Sequence, residues 1–331
     1  MLSRAKFTAL LLQIPAVAAA TQFGAARPAG AQTPSEPLAS WNPGPSRDAI
    51  LRFVRAATDP SSEGFVPEDD RIATFDQDGT LWVEHPLYTQ VLFALDRMRA
   101  LKPAQQINVK DLSMKNLESV VAETHSGMTV EAFTAIAATW IAQARNLRWQ
   151  RPYTDLIYQP MLEVMRYLSD HKFKNYIVTG GGQAFVRSYS PNTYGIEPER
   201  VIGSAGKTKY VYDKGGRADL VKEPALLLNN NLSGKAEDIY LFLGKRPHAA
   251  FGNSSGDRQM LEFTQGNAAA RLMMLVLHDD ATREYAYGPA RGLPDTKIGT
   301  FPQALYDEAT TQGWNVISMK NDWKRLFSFE A

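Results

Sequence analysis

The chain has 331 residues, more than one average domain, and an apolar content of 44%, ample for a core. Its formal charge of +1, without long runs of one sign, argues against a nucleic-acid binder. The absence of cysteine excludes disulfides, thiolate metal sites and a cysteine nucleophile, and the five histidines show no zinc-binding spacing.

The amino terminus reads as an export signal. Arg4 and Lys6 precede the apolar stretch "FTALLLQIPAVAAA", and Ala29, Gly30 and Ala31 offer small residues at cleavage spacing. The expectation is a signal peptide over 1–31, a mature chain from near Gln32, and a periplasmic or secreted protein with no membrane attachment after cleavage. The apolar run, broken by Gln13 and Pro15, is short for a bilayer span.

After a Pro/Ser-rich lead, Ser46 is expected to cap a helix carrying Ile50, Leu51 and Val54 on one face. A short strand, Ile72 to Phe75, then runs into "DQDGT" at 76–80. From 87 to 152 the apolar period turns helical: Leu87, Val91, Leu95 and Met98 recur at turn spacing, and so do Val130, Phe133, Ala137, Ile141 and Ala144. Beyond this block strands and helices alternate. Strands are expected at 176–180, at 201, up to 253 and over 271–278, with a hairpin turning at Gly215 and Gly216 and helices from about 160, 183, 235 and 257. The pattern predicts an α/β fold: a doubly wound, mostly parallel, Rossmann-like sheet built from 32–86 and 153–331, with an inserted all-helical cap at 87–152.

Open parallel sheets bind ligands beyond the carboxyl ends of their strands. Three predicted strands end there in reactive sequence: Asp76, Asp78 and Thr80; Thr179 to Gly182; and Gly252 to Asp257. Lys235 opens the helix before the third. Phosphoryl transfer needs such a set. One carboxylate attacks phosphorus, and a second on the same loop, a task that suits Asp78, protonates the leaving alkoxide and then activates water. A hard divalent cation with oxygen ligands, for which Mg²⁺ fits, offsets carboxylate–phosphate repulsion. Lys235 neutralises further charge, and Thr179 with the N–H groups of Gly180 and Gly181 cradles phosphate oxygens.

The four pieces "FDQDGT", "IVTG", Lys235 and "FGNSSGDRQML" resemble the motifs of the haloacid dehalogenase superfamily, specifically its phosphatase branch, over roughly residues 70 to 280. The resemblance implies Asp76 as nucleophile, Asp78 as general acid/base, Thr179 as phosphate ligand and Lys235 as the motif-three lysine. It further implies a small phosphate monoester as substrate and Mg²⁺ held by Asp76, Asp78, Asn253 and Asp257. The family's phosphatases usually carry an aspartate where this chain has Asn253, a change that lowers metal affinity or shifts the load to Asp257. The forms "SGKAEDI" and "HDDATREYAYG" are similar to exported bacterial acid phosphatases related to phosphoserine and phosphorylcholine phosphatases.

Other readings compete. Lys222 is a second candidate for motif three, and "GNSSG" also fits a serine-hydrolase elbow with Ser254 as nucleophile and His278 as base. A phosphate-ester binding protein that lost hydrolysis through Asn253 is a third. Glu84 either faces the substrate, closes the cap or is a solvated loop acid. Trp82, Trp140, Trp149 and Tyr153 either cage a cationic head group or fill the core. Arg246 and Arg283 read as surface or salt-bridge residues within reach of a substrate anion. The leaving group and the oligomeric state are not written in the sequence.

Overall fold

The computed structural model describes residues 36–103 and 120–330, so the expected signal at 1–31 lies outside the described residues. The strands are β1 (Ile72–Phe75), β2 (Lys174–Gly182), β3 (Val201–Tyr212), β4 (Ala218–Leu228), β5 (Ala249–Gly252), β6 (Leu272–Leu277) and β7 (Asn315–Ser318). They form one sheet in the order β4-β3-β2-β1-β5-β6-β7. Every pairing is parallel except the β3–β4 hairpin. The chain moves outward from β1 through β2 and β3, then returns to β5 on the other side of β1. The β1–β5 junction is therefore a switch point, where a crevice opens at the carboxyl edge.

Labelled helices are α1 (Pro45–Thr58), α2 (Thr89–Leu101), α3 (Val130–Gln143), α4 (Gln159–Asp170), α5 (Gln183–Arg187), α6 (Ser233–Leu243), α7 (Arg258–Gln265) and α8 (Gln303–Gln312). The pleat sends alternate strand residues to opposite faces. Ala73, Phe75, Ile177, Phe251, Met274 and Val276 join one apolar cluster, and Val178, Ala250, Met273, Leu275 and Leu277 join the other. Both faces are thus covered, which is why the strands read as nearly continuous apolar runs. Among the described residues no helix is long and apolar enough to cross a membrane.

Three local expectations need amendment. Ser46 does not cap α1: Gly44 holds the N-cap position with Pro45 following, and the Ser46 hydroxyl donates to Asp322 Oδ2 at 2.9 Å. Within the insertion α2 and α3 are helical, with Thr129 Oγ1 capping α3 by accepting from Ala132 N at 3.1 Å, but residues 144–152 contain no helix. The sheet also gains β7, preceded by α8, beyond the last predicted strand.

The β3–β4 hairpin turns where expected. Gly216 takes φ +79°, which glycine supplies without a Cβ penalty, and Asp213 Oδ1 accepts from Gly215 N and Arg217 N. Its far strand reaches the cap, where Lys222 N donates to Met128 O and Gly127 N to Lys222 O, each at 2.9 Å.

Phe75 and Phe251 are register partners across the switch point and stack with ring centroids 4.6 Å apart and planes 2° from parallel, both fully buried. Each immediately precedes a reactive loop. Phe251→Ala is expected to lower stability by about 3–5 kcal/mol, the range for emptying a buried phenylalanine site, as read from denaturant unfolding; a loss well under this range shows that the neighbours close the gap.

Candidate active site

β1 delivers Asp76 to the crevice, where its backbone N–H donates to Phe251 O at 2.8 Å. Lys235, on the first turn of α6, is 2% exposed. Its Nζ donates to Asp76 Oδ1 at 2.5 Å, to Asp257 Oδ1 at 2.6 Å and to the Val178 carbonyl at 2.9 Å. An ammonium has three donors, and all three are used. Burial opposes the charge, but Asp257 and Asp76 outweigh it and hold the lysine above its ordinary pKa. Lys222, the other motif-three candidate, lies instead on β4 with its Nζ 4.7 Å from the Phe133 ring in the cap.

Burial pushes the Asp76 carboxyl up to about 7; the Asp257 charge adds to this and Lys235 opposes it. Burial likewise pushes Asp78 up to about 6, against a hydrogen bond from Trp82 Nε1 to Asp78 Oδ1 at 2.7 Å. Gly79, between the loop acids and Thr80, has φ +76°, and a Cβ there would strike Asn253 and Glu84. The glycine of the motif is required by packing as well as by dihedral.

Thr179 ends the buried part of β2, and its hydroxyl accepts from Gly181 N at 3.0 Å. One of the two N–H groups expected to face phosphate is thus engaged within its own loop. Asn230 Nδ2 supports the loop from behind by donating to Thr179 O at 2.8 Å. Gly182 N donates to Gln90 Oε1 of the cap at 2.6 Å, and Gln90 Nε2 approaches His125 Nε2 at 3.3 Å. Burial, with Lys222 and Arg97 nearby, lowers His125 to about 3, so the ring is neutral. Gln90 then donates to Nε2, His125 Nδ1–H donates to Thr124 Oγ1 at 2.8 Å, and Thr124 donates to Val120 O at 2.7 Å. This chain of bonds joins cap and loop.

The loop after β5 is organised by Asp257, which is 1% exposed. Its Oδ2 accepts from Asn253 N and Ser254 N, each at 3.0 Å, and from Ser254 Oγ at 3.2 Å, while Oδ1 takes Lys235. Both oxygens accept hydrogen bonds, so Asp257 shapes the turn and seats the lysine. Asn253 Nδ2 donates to Glu84 Oε1 at 2.7 Å, and Asn253 Oδ1 accepts from Thr80 Oγ1 at 3.3 Å. Glu84 is 2% exposed, with burial pushing its carboxyl well above the ordinary value. Its burial sets it apart from a solvated loop acid.

The serine-hydrolase arrangement does not form. Ser254 Oγ bonds Asp257 and accepts from Gly256 N. His278 Nε2 donates to Gly79 O at 2.7 Å, leaving Nδ1 to accept from Glu284, whose carboxyl burial pushes well above the ordinary value. Of the aromatic candidates, Trp82 and Tyr153 are buried and Trp140 and Trp149 half-buried against the core; Tyr153 lies beside both Trp82 and Trp140, Trp82 stacks on Tyr189, and Trp149 meets Phe327 edge-on. Arg246 donates to Phe263 O, and Arg283 pairs with Asp280 and donates to Met319 O and Trp323 O. Gln90 and Asn230 have no short-range signature, since each acts through a partner on a distant element, whereas Trp82 lies only four residues from the Asp78 it holds. A surface pocket of about 440 Å³ lined by Arg52, Arg271 and Asn315 sits at the amino ends of β6 and β7, on the opposite edge from the carboxylates.

Among the described residues no group of three or more acidic or imidazole side chains is arranged to hold a metal by itself. The available donors are oxygens of Asp76, Asp78 and the Asn253 amide, a set that fits a hard cation completing its shell with water and phosphate oxygens.

No family model and no curated protein matches the chain. Among solved structures, the chain is similar to a conserved, functionally unknown protein from Anaerococcus prevotii, at 13% identity over 84% of this chain and 94% of that one, with a TM-score of 0.51. A protein of unknown function from Bordetella pertussis aligns at 15% identity over 75% and 98%, with a TM-score of 0.47. A HAD family hydrolase from Salmonella enterica serovar Typhi aligns at 15% identity over 66% and 65%, with a TM-score of 0.36. At these identities the likeness concerns the fold, and the first of the three carries it.

The raised carboxyls have a measurable consequence. Folded Asp78 keeps its proton up to about 6, whereas the unfolded chain releases it near the ordinary value of 3.8. The folded state then binds the extra proton, and the contribution of Asp78 to stability falls as pH rises through that window. The stability of Asp78→Asn relative to wild type is expected to rise from about pH 4 to about pH 6 and level off above, with the histidine contributions cancelling in the difference. Denaturant midpoints of the metal-free proteins test this; a pH-independent difference contradicts it.

Proposed function

We propose that the chain is a phosphomonoesterase of the haloacid dehalogenase type, acting on a small phosphate monoester through a phosphorylated Asp76. The observation that carries this reading is the Lys235 ammonium held between Asp76 and Asp257 at the switch point, with Asp78 two residues beyond Asp76 and Thr179 at the end of the neighbouring strand. Export from the cytoplasm rests on the amino-terminal sequence alone.

In this reading Asp76 attacks phosphorus with the oxygen that Lys235 does not hold. The ester bond breaks as the new P–O bond forms, and the leaving alkoxide takes the Asp78 proton. Asp78 then takes a proton from water as the water's oxygen attacks phosphorus, releasing inorganic phosphate and restoring Asp76. Trp82 fixes one oxygen of Asp78, so the other serves the proton transfer. Lys235 and Thr179 meet the charge that builds on the transferring group. Mg²⁺ bound at Asp76, Asp78 and Asn253 would neutralise the phosphate dianion and so permit a carboxylate to approach it.

Asp76→Asn is expected to abolish turnover of p-nitrophenyl phosphate, and Asp78→Asn to reduce kcat by about 10²–10⁴-fold, the usual worth of a positioned acid/base. Phosphate release by the folded Asp76→Asn protein would reject the reading. Tight binding without turnover by wild type would favour a binding protein.

Asp78 acts first as an acid and must be protonated, and burial sets its carboxyl at about 6. Asp76 must be ionised for the attack and its carboxyl is pushed up to about 7, so kcat/KM is expected to pass through a maximum between about pH 6 and pH 7 and to fall on either side. A profile that does not fall above that range removes Asp78 from the acid role.

A further inference from the structure

We propose that Glu84 is a positioning residue for the cation site: it fixes the Asn253 amide with its NH₂ group turned to Glu84 and Gly79, leaving the oxygen on the Thr80 side for the cation. This rests on the phosphomonoesterase reading, in which Asn253 supplies a cation ligand. An aspartate at position 253 would present two equivalent oxygens, and its orientation would not matter. An asparagine presents an oxygen on one side and a donor on the other, so half of its orientations would aim an N–H at the cation.

The surroundings of Asn253 select one orientation. Nδ2 lies 2.7 Å from Glu84 Oε1, which accepts a hydrogen bond. Oδ1 lies 3.3 Å from the Thr80 hydroxyl, which donates. Both side chains are buried, at 2% and 1% exposure, so water does not substitute for either partner. Room for Glu84 is built in from two directions. A Cβ at Gly79 or at Gly299 would collide with Glu84 Oε1, and both glycines hold positive φ, at +76° and +61°. Two conformationally special positions, more than 200 residues apart in the chain, thus converge on one carboxyl oxygen.

Outer partners of this kind typically contribute 10–100-fold in metal affinity. The test titrates Mg²⁺ alone into the full-length protein by calorimetry. Glu84→Ala is expected to weaken Mg²⁺ binding by about 10–100-fold, while Glu84→Gln, whose amide oxygen still accepts from Asn253, stays close to wild type. In an Asn253→Asp background, where orientation is irrelevant, Glu84→Ala is expected to cost little. That non-additivity marks positioning, because a general loss of folding would weaken both backgrounds alike. Equal losses in the two backgrounds, a wild-type response from Glu84→Ala, or a loss in Glu84→Gln as large as in Glu84→Ala would overturn the proposal. Should Glu84→Ala fail to fold, Glu84→Met, which fills the space without an acceptor, carries the same comparison. Absence of Mg²⁺ binding by wild type would instead count against the cation in the phosphomonoesterase reading, which separates the two failures.

Discussion

The site depends on one buried ammonium. Lys235 sits where a lone positive charge would be expelled, and it remains because two carboxylates and a carbonyl accept hydrogen bonds from its three N–H groups. Breaking such a buried arrangement by removing one partner is far costlier than losing a surface ion pair. The lysine ties together the tips of β1 and β2, the start of α6 and the loop after β5. Asp76 is accordingly held with one oxygen committed and its backbone pinned to Phe251. Packing beneath it, the stacked Phe75 and Phe251, gives that arrangement a stiff floor.

Around this centre the loops satisfy themselves before any ligand arrives. Thr179 caps Gly181, Asp257 gathers three donors of its own turn, and Trp82 holds Asp78. Preorganised dipoles of this kind cost little reorganisation during reaction. The same burial raises Asp76 and Asp78 out of the ordinary aspartate range. In the proposed reaction a bound cation would bring the compensating charge.

The sequence made the sheet legible because strands covered on both faces leave long apolar runs, and their ends carry glycine, threonine and aspartate in recognisable spacing. Strand β7 escaped because Asn315 to Ser318 is only four residues long, with one buried side chain. Within the site, the strand-end residues were readable one by one, whereas their duties were not. Asp257 read as a metal ligand, and its spacing did not foretell that its oxygens accept from backbone N–H groups of its own turn and from a lysine 22 residues away. Glu84 read as a substrate-facing, cap-closing or solvated loop acid, and none of these readings foretold a partner 169 residues on. Gln90 left no trace at all, since nothing near it in the chain foretells Gly182. Local pattern reports which groups are present at an edge; long-range closure decides which atom of each group is spent.

The hairpin that overshoots the sheet has a mechanical implication. Its outer strand forms two backbone bonds with residues 127 and 128, so the insertion is fastened by a strap as well as by its own two ends. A lid hinged only at its stems could swing away freely. Here any swing of residues 127 and 128 away from the sheet must either drag the strap along or break those two bonds.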